Sequence, residues 1–82
     1  MTLDQAKSNQ IVTIDHIHGG WGIRQRLNQI GIHEGEHVKV KRHSRFGGPL
    51  LIEYNHSEVA IGRGMAAQIS IKVYEQQNSP NR

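Results

Sequence analysis

The sequence contains no cysteine. That excludes a disulfide framework, a thiolate metal site and a cysteine nucleophile, and it suits a reducing compartment. There is no apolar run of about 18 residues, the length a membrane-crossing helix needs. The opening residues, Met1-Thr2-Leu3-Asp4-Gln5-Ala6-Lys7, hold no apolar stretch of signal-peptide length. These absences lead to the expectation of a cytoplasmic protein. Aromatic residues are sparse as well: one Trp, one Phe and two Tyr. A nucleic-acid surface built on stacked rings has little to draw on.

Eighty-two residues give room for one domain. The formal charge of +3 and the pI near 9.7 favour anionic partners in a general way: nucleic acid, an acidic membrane surface or an acidic protein patch. Charge of this size is also ordinary for a solvated domain and carries no fold information.

Catalytic signatures are missing. Ser8, Ser44, Ser57, Ser70 and Ser79 lack the strained glycine elbow of a nucleophilic serine. Gly47-Gly48-Pro49 lacks the lysine and hydroxyl residue that complete a phosphate loop. Asp15, Glu34, Glu36, Glu53 and Glu58 are scattered and read as solvated. The expectation is a protein that is not an enzyme.

What is present is alternation. Ile11-Val12-Thr13-Ile14-Asp15-His16-Ile17 is rich in β-branched residues and reads as a strand ending at the turn His18-Gly19-Gly20. From Trp21 to Ile30 the period changes. Ile23, Leu27 and Ile30 stand at i, i+4 and i+7, the core face of one short helix, and Gly31 suits the left-handed position that ends it. Ile32 is then placed to fold back on the helix end. After the turn Glu34-Gly35, Val38 and Val40 point one way while His37, Lys39 and Lys41 point the other. Ser44 to Pro49 is a loop; Leu50–Tyr54 and Glu58–Ile61 form a hairpin across Asn55-His56-Ser57. Gly62-Arg63-Gly64 reads as a break, Met65-Ala66-Ala67 as one helical turn, and Ile69, Ile71 and Val73 as a last strand. Five short strands and one helix predict an all-β fold, an SH3-like or OB-type barrel whose closure removes exposed strand edges, and the shortness of the strands favours the small SH3-like one.

Six histidines raise the question of metal. His16 and His18 are two apart and on a strand would share a face; His33 and His37 are four apart but flank a turn, so they are not a helical ligand pair. A site needs three or four convergent ligands, and one pair falls short. The expectation is solvated histidines, with at most a weak divalent iron or zinc site drawn from His16, His18, His33 and His37. Lys39, Lys41 and Arg42 form a candidate anion or nucleic-acid face, for which a solvated strand face is the simpler reading. Trp21, between two glycines, and Phe46, in the glycine-rich loop, either cap the core or anchor a partner; capping is the commoner outcome.

The order of these motifs resembles one family. Arg26-Leu27-Asn28-Gln29-Ile30-Gly31-Ile32-His33-Glu34-Gly35 is similar to the FeoA pattern of a helix ending in Leu-x-x-Leu-Gly-Ile-x-Pro-Gly. Gly47-Gly48-Pro49-Leu50 resembles its Gly-Asp-Pro-Ile loop, and Val59 to Ile69 resembles its Leu-Ala-Leu-Arg-x-x-Glu-Ala-x-x-Ile close. Glu34, Gly48, Gly62 and Met65 depart from the family's usual proline, aspartate, arginine and glutamate, and Asn9 replaces a customary glycine. The resemblance spans about Leu3 to Val73. It implies an SH3-like barrel, expected over residues 1–75, and the polar composition beyond it, with Pro80, reads as a disordered tail over 76–82. It further implies a cytosolic accessory role in ferrous iron uptake, with the cytosolic GTPase domain of the FeoB permease as partner and homodimerisation open. Trp21, Arg24, Gln25 and Arg26, together with Phe46, are the expected partner anchors, because interface energy concentrates in aromatic and arginine side chains. The alternatives are a nucleic-acid-binding barrel or a metal-responsive regulatory module.

Overall fold

Alternating β-branched residues produce five strands in the computed structural model, which describes residues 1–74. They are β1 (Ile11–Ile17), β2 (His37–His43), β3 (Leu50–Tyr54), β4 (Ser57–Ile61) and β5 (Ile69–Val73). All pairings are antiparallel, in the order β4-β3-β2-β1-β5. This is the small SH3-like barrel that the strand spacing predicts. The tail expected over 76–82 lies outside the described residues.

Period-two burial places Val12 and Ile14 of β1, Val38 and Val40 of β2, and Leu50 and Ile52 of β3 in the core. Two bulges interrupt it. Asp15 is an extra residue between the pairs Ile14–Ile71 and His16–Ser70, and Lys41 is extra between Val40–Ile52 and Arg42–Leu51. The first bulge leaves Asp15 and His16 both exposed before Ile17 turns inward. Asn55 and His56 both have positive φ, 53° and 67°, which makes the β3–β4 connection a two-residue hairpin turn.

Helix α1 (Trp21–Ile30) buries Leu27, while Ile23 and Ile30 pack against the core from its margin. Gly31, at φ 95°, donates to the carbonyls of Leu27 and Asn28, and Ile32 N–H also reaches Leu27 O at 2.9 Å. That is the expected glycine stop with an aliphatic residue folded back beneath it. A second short helix, α2 (Arg63–Ala66), starts earlier than its alanines suggest, because Arg63 and Gly64 are its first residues and not a break.

The barrel is not closed by hydrogen bonds between β4 and β5 among the described residues; α2 crosses between them instead. The expected removal of edges is met on one side by the N-terminal segment. Thr2 bridges Ser70, Met1 O accepts from Ile71 N at 2.8 Å, and the 3-10 turn Leu3–Gln5 buries Leu3.

Candidate functional site

An open cleft of about 610 Å³ lies between the end of β1, the outer face of α1 and the turn that follows the helix. Trp21, Arg24, Gln25 and Asn28 line it at i, i+3, i+4 and i+7, the helix face opposite Ile23, Leu27 and Ile30. His33 and Glu34 complete the wall. Trp21 is 76% exposed, so its indole stands free at the mouth.

Glu34 holds the cleft together. Its Oε2 accepts from the Ile17 backbone N–H at 3.0 Å, lies 3.2 Å from His16 Nδ1, and sits 3.9 Å from Arg24 Nη1. The backbone bond from Ile17, helped by the positive potential of His16 and Arg24, holds its carboxyl below the usual glutamate range. Arg24 also donates to Ile17 O at 2.5 Å. The Arg24 guanidinium is thus fixed by its own chain and shapes the wall. Trp21, Gln25 and Asn28 offer the uncommitted surface.

Of the five expected anchors, Trp21, Arg24 and Gln25 converge on this cleft. Arg26, at i+5 from Trp21, is exposed but outside its lining. Phe46 is also outside it, at the tip of the β2–β3 connection. Neither Trp21 nor Phe46 caps the core; both are exposed. Their backbones explain this. Trp21 opens α1 at a position facing away from Leu27, and Phe46 sits in a left-handed turn pointing off the sheet. Asn28 was legible as the next residue of the Trp21 stripe. Glu34 had no local signal beyond its place where the family's turn has proline, and its partner Ile17 is 17 residues away.

The carboxylates are not simply solvated. Lys41 lies 4.0 Å from Glu53 and 3.8 Å from Glu58, and Lys72 is 3.6 Å from Asp15. Such exposed pairs add little stability, yet they neutralise part of the Lys39, Lys41 and Arg42 face. Lys39 itself is the ladder partner of Glu53. The sheet face is therefore mixed in sign.

The histidines divide into separate places. The rings of His16 and His18 meet edge to face with centroids 4.5 Å apart, although His18 lies just beyond the end of β1. His16 then faces Glu34, while His18 Nε2 is 2.7 Å from Ser70 Oγ. His33 borders the cleft. His37 is on the sheet, bonded to Thr13 Oγ1 at 2.9 Å and stacked on Tyr74. Among the described residues, no three His, Asp or Glu side chains are grouped so as to hold a metal ion. No helix among them is long and apolar enough to cross a membrane.

Comparison with known proteins adds a family. The FeoA domain profile matches residues 1–73. A protein of Methanocaldococcus jannaschii named "Putative Fe(2+) transport protein A" is 39% identical over 67 residues, which is 82% of this chain and 79% of that protein. A crystal structure described as the iron uptake regulatory protein FeoA superposes with a TM-score of 0.76 at 25% identity, over 87% of this chain and 92% of that one. The solution structure of a FeoA protein from Chlorobium tepidum gives 0.84 at 22% identity over all of this chain and 79% of that one. The last shares the fold.

Proposed function

This chain belongs to the FeoA domain family, and on that premise we propose that it is a cytoplasmic accessory protein of ferrous iron uptake. It catalyses no reaction. It acts by docking the cleft beside α1 onto the cytosolic GTPase domain of a FeoB-like permease. The observation that carries this reading is the exposed Trp21 at the mouth of a cleft whose two sides are tied together by Glu34, Ile17 and Arg24. A large aromatic beside a pre-formed wall is the arrangement in which binding energy concentrates, because little ordering remains to be done when the partner arrives. The naming of the archaeal relative for Fe(2+) transport supports the process.

The test is spectroscopic. On addition of the purified cytosolic domain of the permease, the Trp21 indole N–H resonance and the amides of Gln25, Asn28 and His33 should shift. Shifts confined to the far side of the sheet, around Lys39 and Glu53, would reject this surface.

A further inference from the structure

The connection between β2 and β3 carries a second exposed feature that the cleft does not use. Phe46 is 102% exposed, and its backbone is left-handed at φ 58°, ψ 38°. An L side chain adopts that region at a cost that glycine escapes. The loop around it is braced. Ser44 N–H donates to Pro49 O at 3.1 Å, Gly48 N–H to Arg45 O at 3.2 Å, and Arg63 Nη2 to Ser44 O at 3.2 Å. The ring is thus held outward on a stiffened turn.

The loop itself carries cationic and no acidic side chains, while the β2 face that runs into it is mixed in sign. No Asp or Glu occurs from Lys41 to Ile52 or from Val59 to Tyr74. Arg42 and Arg45 are exposed on either side of Ser44. Arg63 brings a third guanidinium to the base of the loop, where its Nε is buried without a hydrogen-bond partner.

We propose that this loop is a contact with an anionic lipid surface, with Phe46 entering the acyl boundary and Arg42 and Arg45 meeting headgroup phosphates. A single exposed apolar ring with two exposed arginines close to it in sequence fits a soft, negatively charged interface, which needs no preformed complement. Single-stranded nucleic acid is normally held on several stacking rings in a groove. Here the other rings are elsewhere: Tyr54 is bonded to Glu36, Tyr74 lies on His37, and Trp21 stands on α1. One ring and two charges make a reversible contact, able to add to a protein interaction by raising effective concentration. The inference does not depend on the cleft reading.

The experiment is sedimentation of the full chain with vesicles of phosphatidylcholine alone or mixed equally with phosphatidylglycerol. Binding is expected only to the mixed vesicles and should fall steeply with salt. Phe46→Ala should weaken it about tenfold, and Arg45→Gln about fivefold. In a Trp21→Phe background, Phe46→Trp should shift its emission to the blue on binding. Inorganic phosphate at matched ionic strength should leave vesicle binding intact. Equal binding to neutral vesicles, full binding by Phe46→Ala, displacement by free phosphate, or preferential capture of a single-stranded oligonucleotide would each overturn the proposal. Because the Phe46 ring is fully exposed, these variants keep the fold, which circular dichroism checks.

Discussion

Glu34 Oε2 accepts a hydrogen bond from the backbone N–H of Ile17, 3.0 Å away. This bond ties the turn after α1 to the last core residue of β1, and so closes one wall of the cleft. The same oxygen faces His16 and Arg24. A carboxylate in this place does the work that a rigid turn residue could do, but only while it is ionised.

That condition yields a pH prediction. The folded-state pKa of Glu34 lies below the ordinary value of 4.5. Its stabilisation is therefore complete above the unfolded pKa and is lost as the pH falls through the folded one. Glu34→Gln should melt at a lower temperature than the wild type at pH 7. The two melting curves should converge on acidification below the ordinary glutamate range. A difference that persists unchanged there would separate Glu34's role from its charge.

Tyr54 makes the complementary case on the alkaline side. Its hydroxyl donates to Glu36 Oε1 at 2.6 Å, and that bond pushes its pKa above 10.0. The contribution is present below the unfolded pKa and lost as the pH rises through the folded one. In an absorbance titration, the tyrosinate step that disappears in Tyr54→Phe should be a late one. If the missing step falls at or below the ordinary tyrosine value, the bond is not formed in solution.

The N-terminal turn tests the limits of the barrel. Leu3 is as buried as Leu27 of the helix, each at 1%. Leu3→Ala and Leu27→Ala should each cost about 2–5 kcal/mol in urea denaturation. A Leu3→Ala cost near zero would mean that residues 1–6 do not belong to the core.

Two glycines in or beside α1 should respond oppositely to alanine. Gly31 holds φ 95° at the helix end, where alanine costs about 1–2 kcal/mol. Gly22 lies inside the helix with open space around it, and alanine there should gain up to about 1 kcal/mol. Equal effects would contradict the placement of the helix end.

Much of this architecture was legible. Ile23, Leu27 and Ile30 announced the helix, Gly31 and Ile32 its stop, and Val38 and Val40 the inward face of β2. What escaped is non-local. The bulges at Asp15 and Lys41 depend on which strand lies opposite, and neither residue differs locally from its neighbours. Leu3 and Ala6 had no periodic partner in sequence; they are buried because β5 offers an edge to Met1 and Thr2. Trp21, Arg24 and Gln25, chosen by residue type and helical position, line one cleft. Arg26 and Phe46, chosen by residue type alone, lie outside the cleft, Arg26 by its angular place on α1 and Phe46 by its place in the β2–β3 connection. Glu34 was invisible because its role is made by a contact to Ile17 that only the folded chain supplies.

The central claim is that the cleft beside α1 docks a protein partner. Calorimetric titration with the permease's cytosolic domain tests it most directly. Trp21→Ala should fold with a stability change within about 0.5 kcal/mol, since the ring is mostly exposed. It should nevertheless bind at least tenfold more weakly, a loss of about 1.4 kcal/mol or more. Gln25→Ala should weaken binding to a lesser degree, and Phe46→Ala should leave it unchanged. Undiminished affinity in the Trp21→Ala, Gln25→Ala double variant would contradict the account.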